Sequence, residues 1–213
     1  MSDEVPVVDA KSPSKVRCEE YLTKVLSHAH INFVRLRMGD LGCDTFNNDQ
    51  GKHNFEFSCE PCQKVTAGDS PTPPQHLGLF TVDSETNKKK IFICEENFSE
   101  EAAGRMSASA VRRTVLHELI HAYDYCRVKF DINNCDQLAC TEVRAAMLSG
   151  DCTFVSEITR MNFGIAGQGA ACAKRRAILS LEGNPVCQST AKEAVDRVFD
   201  KCHKDTAPFF MKF

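Results

Sequence analysis

Apolar positions divide the chain into a mixed half and a helical half. Tyr21, Leu22, Val25, Leu26 and Ala29 recur at helical spacing and predict an amphipathic helix over residues 18–29. Residues 31–38 set Ile31, Phe33 and Val34 among Arg35 and Arg37, which predicts a strand leading into a turn at residues 39–42. A short strand is predicted at Phe55 to Ser58, and the Pro, Thr, Ser and Gly of residues 66–75 predict a surface loop. Residues 76–82 and 90–94 are apolar runs flanking the polar stretch 83–89, the pattern of a β-hairpin. Beyond it the period changes. Residues 108–127 carry Val111, Val115, Leu119, Ala122 and Cys126 along one side with no Gly or Pro, and helices follow at 137–149, 168–180 and 190–204. An Asn- and Asp-rich turn at 131–136 folds the second of these helices back on the first, and Thr190 with Glu193 has capping-box spacing.

The expected fold is therefore α+β: a small mixed sheet packed on helix 108–127 and backed by C-terminal helices. Residues 1–15 read as a solvated tail and 16–213 as one domain, of a length that buries roughly 70% of its unfolded surface. A net charge of −3 gives no basic excess, so nucleic acid is not expected as a direct ligand. No stretch approaches the roughly 18–20 apolar residues that span a bilayer, which makes any expected membrane contact peripheral. The first 14 residues hold Asp3, Glu4 and Asp9, unlike a signal peptide or an Arg-rich presequence.

Twelve cysteines, an even number, suggest several disulfides and an oxidising compartment, against the alternative of buried free thiols. Cys59 and Cys62 have no second pair nearby for zinc and are expected in disulfides or plain structure. Cys172, Cys187 and Cys202 stand 15 residues apart and are candidates to staple the last two helices together. His28 and His30 have no partner at ligand spacing. Asn97-Phe98-Ser99 matches a glycosylation acceptor, a short pattern that we discount.

The chemistry lies in His117-Glu118-Leu119-Ile120-His121. Histidines four apart share a helix face and can bind one metal ion, here one zinc per chain, while Glu118 is rotated about 100° and suits a general base. A catalytic zinc usually takes three protein ligands. Glu142, on the following helix, is the preferred third. Asp124 is the competitor, and is read instead as a group orienting an imidazole. Arg144 and Tyr123 are the candidates for stabilising an oxyanion.

The run His117 to Asp124, H-E-L-I-H-A-Y-D, with Cys140 to Cys152, C-T-E-V-R-A-A-M-L-S-G-D-C, resembles the mitochondrial inner-membrane metalloprotease family that processes an ATP synthase subunit, whose members are also known as Ku-binding proteins. The resemblance runs from about Cys18 to the C-terminus. It implies a zincin-like metalloprotease on the intermembrane-space side of the inner membrane. It also implies a membrane-sector ATP synthase subunit as substrate or assembly client. His117 and His121 match the ligand positions and Glu118 the catalytic one. Zinc proteases that take a Glu ligand from a second helix often carry an Asp four residues later, and here that position is Ala146. Two non-proteolytic readings stand beside the protease: an assembly factor or chaperone for a hydrophobic membrane protein, and a Ku-associated interaction protein.

Overall fold

The computed structural model describes residues 11–43, 45, 55–62, 77–99, 107–159 and 168–210. Among them lie seven α-helices and a three-stranded mixed sheet. The loop expected at 66–75 and most of the expected tail fall outside these residues.

Helix α1, Pro13–Leu26, starts within the stretch read as tail, with Pro at its first position and the Ser12 side chain accepting from the Lys15 N–H. The strand expected at 31–38 is a helix instead, α2, Ala29–Asp40. Ile31, Val34 and Met38, spaced i, i+3, i+7, are all fully buried, and that stripe outweighs the local alternation. His28 caps α2 by accepting from the His30 N–H, and its Nε2 lies 3.0 Å from Arg112.

Strand β1, Phe55–Glu60, pairs in parallel with β3, Lys89–Cys94, and β2, Gly78–Val82, pairs antiparallel with β3, giving the order β1-β3-β2. The hairpin is as expected. Period 2 sends Ile91 and Ile93 to the face that packs on Val111, Val115 and Leu119 of α3, Ala108–Arg127, whereas Phe92 and Cys94 join Cys62 on the other face. Ser107 caps α3, and the 20-residue helix runs without interruption through the core.

Helix α4, Cys135–Leu148, is capped by Asn134 and has two buried faces. Ala145 and Leu148 belong to the core around α3, while Ala139 and Val143 pack with α6, Gln168–Glu182, and α7, Ala191–Cys202. A short α5, Phe154–Thr159, precedes α6. Thr190 sits at the N-cap of α7 but its side chain makes no capping hydrogen bond, so the expected capping box is not formed.

All twelve cysteines pair: 18 with 59, 43 with 126, 62 with 94, 135 with 187, 140 with 202, and 152 with 172. Cys59 and Cys62 take separate partners. The expected staple between the last two helices is not formed: α6 and α7 pack on each other and on α4, Cys187 and Cys202 both bond to α4, and Cys172 bonds to Cys152. No helix among the described residues is long and apolar enough to cross a membrane.

Candidate metal centre and active-site cleft

Helix α3 brings the two histidine rings to 4.8 Å between centroids, as the i, i+4 offset requires. Glu142 reaches them from α4, with Oε2 3.6 Å from His117 Nε2 and Oε1 3.6 Å from His121 Nε2. Donors about 2.1 Å from one ion at tetrahedral angles stand about 3.4 Å apart, so this separation fits a metal ion. One donor atom from each of the three lies within 4.8 Å of the others. Of the sequence candidates, then, His117, His121 and Glu142 come together. The other such cluster among the described residues, Cys62, Cys94 and Glu96, has its two sulfurs tied in a disulfide.

Asp124 goes elsewhere. Its carboxylate accepts from Arg144 Nε at 3.1 and 2.9 Å and pairs with Arg127 Nε at 3.1 Å. The expectation that it orients an imidazole is corrected: His121 Nδ1 is 2.9 Å from Thr141 Oγ1, and His117 Nδ1 faces Asp151 Oδ2 at 3.6 Å. Arg144 and Tyr123 are also corrected as oxyanion groups. Arg144 is fully buried and donates to the Asp205 and Ala207 carbonyls, and Tyr123 is buried under the Arg127 guanidinium; neither lines the cleft.

Burial on one side and neighbouring charge on the other set the protonation of the group. Burial lifts the Glu118 carboxyl to about 7, reinforced by the nearby Glu142 and Asp151 carboxylates. Burial opposes charge on His117, but Asp151 and Glu142 outweigh it and raise the imidazole to about 10. His121 has a hydroxyl rather than a carboxylate behind it, and burial lowers it to about 4. Glu142 is held near 2 despite burial, by the two imidazoles and Ser180.

Beside the three donors opens a cavity of about 450 Å³, lined by Gly78, Arg113, Thr114, Arg176 and Leu179 among others. Strand β2, the edge strand of the sheet among the described residues, and the preceding Leu77 form one wall. The Cys94 N–H donates to Leu77 O and the Asp83 N–H to Lys88 O, so odd-numbered residues of β2 bond to β3 and the main-chain groups of Gly78 and Phe80 point away from it. Glu118 Oε2 accepts the Phe80 N–H at 2.9 Å. At Gly78 a Cβ would stand 2.9 Å from Ile93 Cδ1, Phe92 O and Thr114 Cγ2, so the close seat of β2 on α3 requires glycine. Sequence reading missed Gly78, Phe80, Thr141, Asp151 and Ser180, since each reaches the site only through tertiary contact.

A model of the peptidase M76 family matches residues 16–210. The chain belongs to the peptidase M76 family. It is similar to the mitochondrial inner membrane protease ATP23 of Mycosarcoma maydis, 40% identical over 93% of this chain and 92% of that one. It is also similar to the ATP23 homologs of Homo sapiens, 36% identical over 92% of this chain and 70% of that one, and of Xenopus laevis, 38% identical over 81% and 63%. The chain spans about three fifths of the length of the Xenopus laevis homolog and of the ATP23 relatives of Malassezia globosa and Danio rerio. No solved structure matches it significantly.

Proposed function

We propose that this chain is a zinc metalloendopeptidase of zincin-like fold, one domain over residues 16–213, held peripherally on the intermembrane-space side of the mitochondrial inner membrane. Its substrate is a membrane-sector subunit of the ATP synthase. The observation that carries the reading is the convergence of His117, His121 and Glu142 with Glu118 alongside them in a cleft walled by the edge strand of the described sheet. Relatives named as mitochondrial inner membrane proteases support the location, and six disulfides support an oxidising compartment over the nucleus.

His117, His121 and Glu142 would hold the zinc, which would supply Lewis acidity to a scissile carbonyl and to a water near neutral pH. Glu118 moves the proton. With Oε2 fixed by the Phe80 N–H, its other oxygen takes the proton of the attacking water and delivers it to the leaving amine nitrogen. Burial lifts the Glu118 carboxyl in the metal-free protein, an environment that suits a group which first accepts and then releases a proton. An extended peptide runs along β2 at Gly78, which lines the cleft, beside the Phe80 N–H that holds Glu118.

Glu118→Gln tests the reading. It keeps the donor set and the shape of the side chain and removes the base, so zinc binding and fold persist while peptide hydrolysis falls by at least about 100-fold. Undiminished hydrolysis in this variant contradicts Glu118 as the base, and a zinc-loaded wild type that cleaves no peptide contradicts the protease assignment. Loss of hydrolysis with undiminished assembly of the client subunit separates the proteolytic role from a chaperone role.

A further inference from the structure

The segment Ser149-Gly150-Asp151-Cys152 belongs to neither ligand helix, yet it delivers a carboxylate to the back of the metal centre. Gly150, with φ +85°, turns the chain as α4 ends; the Ser149 hydroxyl accepts the Asp151 N–H at 3.3 Å; and Cys152 anchors the segment to Cys172 of α6. The Asp151 side chain is thereby buried to 13% exposure between His117 Nδ1, 3.6 Å from Oδ2, and two arginines of the cleft wall. Arg176 Nη2 stands 3.2 Å from Oδ2 and Arg113 Nε 3.7 Å from Oδ1. His117 Nδ1 itself is buried with no hydrogen-bond partner formed, and a separation of 3.6 Å is one short adjustment from a hydrogen bond.

Both Nε2 atoms face Glu142, so each ring presents Nδ1 to a group behind it: His121 to Thr141, His117 to Asp151. We propose that Asp151 is the positioning residue for His117, accepting the Nδ1–H so that Nε2 is the deprotonated atom offered to the metal. The inference rests on the zinc reading above. Ala146, on α4 four residues after Glu142, carries no carboxylate, and the acceptor for His117 comes instead from the turn that follows the helix. Arg113 and Arg176 flank the Asp151 carboxylate and fix its orientation, which joins His117 to the cleft wall.

The test is zinc affinity, measured by chelator competition, of wild type, Asp151→Asn and Asp151→Ala, together with the histidine ring ¹H–¹⁵N spectrum of the zinc-loaded wild type. An outer-shell partner of this kind is worth about 10–100-fold in metal affinity. Asp151→Ala is expected to lose that much with an unchanged circular-dichroism spectrum, Asp151→Asn less because its amide oxygen still accepts, and the wild-type spectrum to place the His117 proton on Nδ1. Affinity within twofold of wild type in a folded Asp151→Ala overturns the proposal. So does a His117 ring protonated on Nε2, which decides the matter even where the variant does not fold. A wild type that binds no zinc overturns the metal reading itself, whereas normal wild-type binding with an insensitive Asp151 overturns only this inference.

Discussion

The carboxylate of Glu118 accepts a hydrogen bond from the main-chain N–H of Phe80 at 2.9 Å, which joins the middle of α3 to the edge strand of the sheet. The proposed base and the proposed peptide-binding strand are thus directly linked, and a disturbance of β2 is expected to reach Glu118 before it reaches the three candidate metal ligands.

Gly78→Ala should separate those two effects. The new methyl meets three atoms at 2.9 Å, one of them a backbone oxygen, so β2 must shift. A cost of about 1–3 kcal/mol in unfolding free energy is expected from such overpacking. Peptidase activity should fall severely while zinc content is retained, as read by thermal unfolding, metal analysis and turnover of one peptide.

Metal uptake should depend on pH through His117. The raised imidazole, titrating at about 10 in the metal-free protein, must lose its proton to become a ligand, so binding near pH 7 releases about one proton. Protonated His117 stabilises the metal-free fold fully below the ordinary imidazole range, and that contribution is lost as pH rises through about 10. Zinc affinity should therefore strengthen from about pH 6 to about pH 9, and the gap in Tm between loaded and chelated protein should widen over the same window. Calorimetry in buffers of different ionisation enthalpy counts the proton.

Arg144 is the hidden brace between the ligand helices. It stands two residues after Glu142 and pairs with Asp124, three residues after His121, while its remaining nitrogens hold the 205–207 segment. Arg144→Ala leaves the Asp124 carboxylate buried without its strongest partner and should cost about 3–5 kcal/mol. Replacing both members by apolar residues, Arg144→Met with Asp124→Leu, should recover much of that loss in a denaturant titration.

The disulfides to α4 should matter beyond general stability. Cys135–Cys187 and Cys140–Cys202 close 52- and 62-residue separations and hold the C-terminal helices on the face of α4 opposite the core around α3. Removing either pair as a double Cys→Ala variant should cost about 2–4 kcal/mol, observable as a lower Tm under non-reducing conditions. The same variants compared with wild type in reductant should converge.

Legibility in the sequence followed how local each feature is. Helix α3 could be read because 20 unbroken residues carry one stripe, and His117, Glu118 and His121 because their geometry is fixed by that single helix. Glu142 needed the second helix and the turn before it, both of which have local signals. Helix α2 was misread because Ile31, Phe33 and Val34 fit either period, and the deciding residue, Met38, is fully buried at the far end of the pattern while Leu36 is 60% exposed. Asp151 and the Phe80 N–H were invisible for another reason: one is a carboxylate swung back by a glycine turn, the other a backbone donor that any residue type supplies. Twelve cysteines announced an oxidised framework, but pairing depends on tertiary packing, which brings Cys135 and Cys140 of α4 to Cys187 and Cys202 and leaves no trace in the spacing along the chain.

Metal content per chain, measured for the purified wild type beside His117→Ala and Glu142→Ala, tests the central claim most directly. The account predicts about one zinc in the wild type, lost or severely weakened in both variants, with fold retained by circular dichroism. A folded wild type that takes up no zinc, or a Glu142→Ala variant that binds it as tightly as wild type, would contradict the three-residue centre.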